Sequence, residues 1–198
     1  MKQQTRPERF LSCGMGLALV SVIGCGVWSR TLDRRVEAVA ADLKIIRQAV
    51  IAYRSQYDGF PTRMKVEYDF RYGLAGDLSN NEVFNALRAK DGPGNENHAI
   101  NPKKQVFIDV VAADKGRSGL NPRNEFVDPW GQPYQIVLDL NNDNLCDLDL
   151  TIHGSAKGRR VAVWSYGPDR KGNTPDDILG WQVQEEFNIK DRLSVEDL

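Results

Sequence analysis

An uncharged run from Phe10 to Trp28 that passes straight into a heptad-patterned stretch limits this chain more than any other feature. Leu32, Val36, Val39, Leu43, Ile46, Val50, Tyr53 and Tyr57 recur at alternating steps of four and three, the period of one helix face. At 1.5 Å per residue the apolar part reaches roughly 28 Å, about the thickness of a bilayer core, and the striped part adds roughly 39 Å. The spacing predicts a helix that is membrane-embedded first and amphipathic afterwards. Asp58, Gly59 and Pro61 end it, Gly59 by taking a left-handed cap and Pro61 by being unable to continue.

Lys2, Arg6 and Arg9 precede the apolar run, so the basic side is expected in the cytoplasm and the rest on the far side of the membrane. Three fates of this segment stay open. It is a retained single-pass anchor, a cleaved signal peptide, or a lipoprotein signal. The last rests on Val22-Ile23-Gly24-Cys25, which resembles a lipobox and would leave a lipid on Cys25.

Past the helix, Ser79 to Glu82 offer cap residues for a short second helix through Val83, Phe84 and Leu87, ending near Lys90. Asp91 to Asn97 reads as loop. Alternation predicts strands over Gln105–Val111, Tyr134–Leu138 and Arg160–Tyr166, with a further element at Leu179–Val183. On the third strand Val161 and Val163 share one face, Ala162 and Trp164 the other. Asp128-Pro129-Trp130-Gly131-Gln132-Pro133-Tyr134 reads as a turn, with Trp130 buried beneath it. The expected fold is α+β, a long N-terminal helix packed on a small antiparallel sheet. The expected organisation is an N-terminal and membrane segment (1–30), a helix (31–58), a variable region (59–126), a sheet with a loop (127–183) and a tail (184–198).

A net charge of −1 with no basic cluster excludes a general nucleic-acid binder. Cys13, Cys25 and Cys146 provide neither a disulfide within the soluble part nor a zinc site. His98 and His153 match no nucleophile or metal spacing, and no enzymatic activity is expected.

Two acidic loops bear on metal binding. Asp139, Asn141, Asp143 and Asp147 are spaced like the opening of an EF-hand, but Asn144 and Leu150 stand where Gly and a bidentate Glu belong, so an acidic hairpin tip is expected. Asp169, Asp176 and Asp177 place three carboxylates in one loop with Gly167, Gly172 and Asn173, a donor set suited to a hard cation such as calcium.

The helix ending in Tyr57-Asp58-Gly59-Phe60-Pro61, the Asp128–Tyr134 turn, and Trp164-Ser165-Tyr166-Gly167-Pro168-Asp169 followed by Gly172, Asn173, Asp176 and Asp177 together resemble the major, G-type pseudopilins of type II secretion systems. The resemblance covers roughly residues 30 to 181. It implies a pilin-like fold, assembly through N-terminal helices, and a single-pass inner-membrane location with a periplasmic domain. The implied partners are other pseudopilins and inner-membrane secretion components. It also implies calcium held near Tyr166, Asp169, Asp176 and Asp177. The start departs from the family pattern, with Arg9 in place of the Gly before Phe10 and Gly14 in place of the Glu that follows five residues into the mature chain. The alternative reading is a calcium-binding periplasmic or surface lipoprotein that uses the same head as a binding module.

Overall fold

The computed structural model describes residues 16–74, 76, 78–148, 153–154 and 156–182. Phe10 to Met15 of the apolar run, Cys13 and the tail from 184 onward lie outside the described residues. Helix α1 spans Gly16–Tyr57. Among the described residues no helix is long and apolar enough to cross a membrane. The chain divides into two units, Met1–Arg34 and Arg35–Leu198. The first is helical over its described part, and the second contains every strand found among the described residues.

The α1 stripe does what its period predicts over five positions. Val39, Leu43, Ile46, Val50 and Tyr53 are buried, while Leu32 and Val36 are exposed. Each fully buried aliphatic contributes about 1.5–3 kcal/mol, so this face alone is a large share of a domain's stability. The helix ends one residue before Asp58, whose N–H donates to the Arg54 carbonyl at 2.8 Å. Asp58 itself takes the left-handed conformation (φ 52°), not Gly59. Aspartate tolerates that region better than most side chains, which leaves Gly59 and Pro61 to turn the chain.

Among the described residues eight short strands follow, four of them in one antiparallel sheet: β1 (Phe70–Tyr72), β4 (Gln135–Leu138), β7 (Val161–Ser165) and β8 (Ile178–Leu179), in that spatial order. The central pair is in register Ile136↔Val163, Val137↔Ala162 and Leu138↔Val161. Alternation therefore sends Ile136, Leu138, Val161 and Val163 to the α1 face and Val137, Ala162 and Trp164 to the other. The second face is covered too. Hairpin β5 (Leu145–Cys146) with β6 (Ala156–Lys157) lays Cys146 and Ala156 over it, joined by Leu148 and Leu179. Burial raises the Cys146 thiol pKa, so the group stays an inert core thiol.

Helix α2 (Asn81–Leu87) begins where expected, but Asn80 does not cap it. The Asn80 side chain is fully buried: Nδ2 donates to the Phe126 and Tyr134 carbonyls, both at 2.9 Å, and Oδ1 accepts from the Phe126 N–H at 3.2 Å. It thus ties α2 to β3 (Phe126–Val127), which pairs with β2 (Gly119–Leu120). The expected strand over 105–111 is not formed. That segment makes single bonds instead of a ladder, Phe107 N–H to Leu87 and Leu120 N–H to Val111, and leaves Val106 and Val111 exposed.

Candidate functional site

Strand β7 delivers the chain into the loop that the sequence singles out. At its end Ser165 is buried; its hydroxyl donates to Asp128 Oδ2 at 2.6 Å and accepts the Gly167 N–H at 3.0 Å. The other Asp128 oxygen accepts the N–H groups of Trp130 and Gln132, both at 2.9 Å. The aromatic turn and the loop thus share one carboxylate, whose pKa burial raises against these hydrogen bonds.

Residues 166–177 return to β8, which pairs with Trp164 and Ser165. Gly167 has φ 67° and lies against the Asp176 carbonyl, where a Cβ would come within 2.0 Å of the oxygen. Only glycine fits there. Gly172 sits against the Tyr166 ring in the same way, with a Cβ position 2.7 Å from ring carbon. These two close approaches fold the loop onto itself.

Of the predicted ligands, Asp177 is inside and the other two carboxylates are outside. The Asp177 side chain is fully buried; Oδ2 accepts the Asn173 N–H at 2.8 Å and faces His153 Nε2 at 3.0 Å. His153 Nε2 also faces the Thr174 carbonyl at 2.9 Å. Both groups are acceptors, so Nε2 carries the proton. Burial raises the Asp177 pKa, and the Asn173 N–H and His153 act against that rise. Its second oxygen, Oδ1, is buried with no hydrogen-bond partner. Asp169 and Asp176 are exposed, and Asp169 Oδ1 accepts the Lys171 N–H at 2.9 Å. Among the described residues no three His, Cys, Asp or Glu side chains gather as a metal-holding group. His153 is the residue sequence reasoning missed, because its partner is 24 positions away and no spacing rule links them.

The acidic hairpin satisfies itself. Asp139, fully buried, accepts the N–H groups of Asp143 and Asn144 at 3.1 Å each, closing the tip. Asp69, unforeseen, accepts the Asp147 N–H at 2.6 Å. Its pKa is pushed up to about 6, by burial first and also by the charges of Asp139, Asp143 and Asp147. Cys25 lies in the backbone of α1, and its side chain is outside the described residues.

Neither protein-family models, nor curated proteins, nor solved structures provide a match to this chain.

Proposed function

We propose that the protein is a pseudopilin-like structural subunit of a type II secretion or type IV pilus-like assembly, anchored in the inner membrane by its N-terminal helix, and that it acts by assembly and not by chemistry. The observation that carries this reading is a second face of α1. Ala38, Ala41, Ile45 and Ala52 are exposed on it, with Ile45 at 48%. Small and aliphatic residues at steps of three, four and seven suit close packing by another helix. The test is disulfide crosslinking in membranes with Ile45→Cys and Ala52→Cys in a background lacking Cys13 and Cys25. A ladder of oligomers is expected; a chain that stays monomeric, with folding intact, ends the assembly reading.

Calcium in the 166–177 loop belongs to the same proposal. The orphaned Asp177 Oδ1 is the kind of buried group that a cation satisfies. Asp177 would be the inner ligand, with the Tyr166 carbonyl and the exposed Asp169 and Asp176 completing an oxygen set, and the ion would supply charge neutralisation and loop order. That same oxygen also favours the second reading, a calcium-binding lipoprotein. Intact mass of the membrane-extracted protein separates the two: a diacylated chain beginning at Cys25 supports the lipoprotein, and an unlipidated chain supports the subunit.

A further inference from the structure

His153 stands in the connection between β5 and β6, and Asp177 closes the 166–177 loop just before β8. Their side chains are 10% and 0% exposed. The contact between them, Nε2 to Oδ2 at 3.0 Å, also brings the Thr174 carbonyl to 2.9 Å from the same nitrogen.

Donors and acceptors do not match there. Oδ2 already accepts the Asn173 N–H at 2.8 Å, and the Thr174 carbonyl accepts the Asp177 N–H at 3.1 Å. Oδ1 has no hydrogen-bond partner. One ring proton is thus shared by two acceptors that each hold a backbone hydrogen bond, while the second oxygen of the same buried carboxylate holds none. Leaving such an oxygen unpaired costs as much as losing a hydrogen bond to a charged group.

A divalent cation in place of that proton removes the mismatch, because a carboxylate oxygen has lone pairs enough to accept a backbone N–H and bind a metal as well. Nε2 lies 2.9 and 3.0 Å from the two oxygens, the separation of neighbouring donor atoms round a small cation with bonds of about 2.0–2.1 Å. The donor types then decide which cation. Calcium takes about six to eight oxygen ligands, whereas the buried side of this loop presents an imidazole nitrogen, and Asp169 and Asp176 are exposed. Imidazole, carboxylate and carbonyl make a mixed nitrogen and oxygen set, which zinc and its neighbours in the transition series accept.

We propose that His153 Nε2, the Asp177 carboxylate and the Thr174 carbonyl form a site for a divalent transition cation of the zinc kind. The proposal rests on the reading that this loop holds a cation, and it assigns the inner position to a transition metal through a histidine that lies outside the loop. On binding, the ring proton moves from Nε2 to Nδ1, so the imidazole stays neutral and turns its Nε2 lone pair to the metal. Among the described residues no third His, Cys, Asp or Glu side chain joins the group, so binding is expected to be weaker than at a four-ligand structural zinc site.

The experiment is a titration of the full chain in neutral detergent, stripped beforehand with chelator, with zinc chloride and separately with calcium chloride. It is followed by melting midpoint and by the imidazole nitrogen resonances. His98 and His153 are the only histidines in the sequence, so His98→Gln alone assigns the two rings. Zinc is expected to raise the midpoint saturably at one ion per chain, at lower free concentration than calcium, and to shift the His153 Nε2 resonance while His98 stays in place. His153→Gln, whose amide can still donate to Asp177, should weaken zinc by more than the roughly tenfold to hundredfold of a lost outer-shell partner, and leave any calcium response as it was. Asp177→Asn should abolish both. A calcium response without a tighter zinc response, unchanged in His153→Gln, overturns the transition-metal site and leaves the calcium reading standing; no response to either ion overturns both. Zinc stabilisation without movement of the His153 resonances, read on the unmutated chain and so independent of how any variant folds, places the zinc elsewhere and overturns the site.

Discussion

Ser165 donates to Asp128 across 37 residues of sequence, a 2.6 Å hydrogen bond between two buried side chains. It joins the turn before β4 to the end of β7 and sets the point from which the 166–177 loop departs. Asp128→Ala removes this acceptor together with those of Trp130 and Gln132, and leaves three donors unmet, two of them buried. The expected loss is about 3–5 kcal/mol, against about 1–2 kcal/mol for Ser165→Ala, measured by urea unfolding. Because both changes break the same bond, the double variant should lose less than the two single losses added. Strict additivity would show that the two side chains act separately.

Ile45 and Ile46 are neighbours in sequence with opposite surroundings, one 48% exposed and the other fully buried. Ile46→Asp places a charge in the core between α1 and the sheet, with an expected cost of several kcal/mol and a clearly lower melting midpoint. Ile45→Asp should leave the midpoint of the isolated protein within about 0.5 kcal/mol of the parent while abolishing membrane crosslinking. If Ile46→Asp melts like the parent, the stripe does not carry the core.

What the sequence made legible were features with a local period or a local motif. The α1 stripe, the two faces of Val161 to Trp164 and the buried Trp130 turn each follow from neighbouring residues alone. What it hid depends on distant partners. Phe70-Arg71-Tyr72 is too short for an alternation to register, and becomes β1 only because β4 offers its edge. Val106, Ile108 and Val110 alternate as a strand should, yet among the described residues no strand pairs with these three, and alternation without a partner does not make a ladder. Asn80 looks like a helix cap but binds backbone groups more than 40 residues away. The same applies to the loop: three carboxylates were visible as a cluster, but burial of Asp177 by His153 and exposure of the other two were not.

Asp69 predicts a pH response. Its folded pKa, near 6, lies above its ordinary value of 3.8, so the folded state holds the proton more tightly. The stabilisation from protonated Asp69 is therefore present at low pH and is lost as pH rises through the window from about 4 to 6. Asp69→Asn keeps an acceptor for the Asp147 N–H and removes the repelled charge. It should raise the melting midpoint at pH 7.5, with the gain vanishing near pH 4. An equal gain at both values would mean that the effect is not electrostatic.

The calcium loop yields the sharpest separation of residues. Of the three loop carboxylates, Asp177 combines full burial with an unpartnered oxygen, while Asp169 and Asp176 are exposed. If calcium binds through that oxygen, the melting midpoint of the full chain rises with the logarithm of free calcium, by about 2.7 kcal/mol of stability at a hundredfold excess over Kd. Asp177→Asn should abolish the response, because the amide keeps the shape and withdraws the charge. Asp169→Ala should weaken it, since an exposed ligand is partly replaceable by water. Asp143→Ala should leave it intact, because Asp143 belongs to a hairpin whose carboxylates already accept backbone N–H groups. A midpoint that is the same in chelator and in millimolar calcium would assign Asp177 to His153 and Asn173 alone, as a carboxylate that closes the loop without an ion.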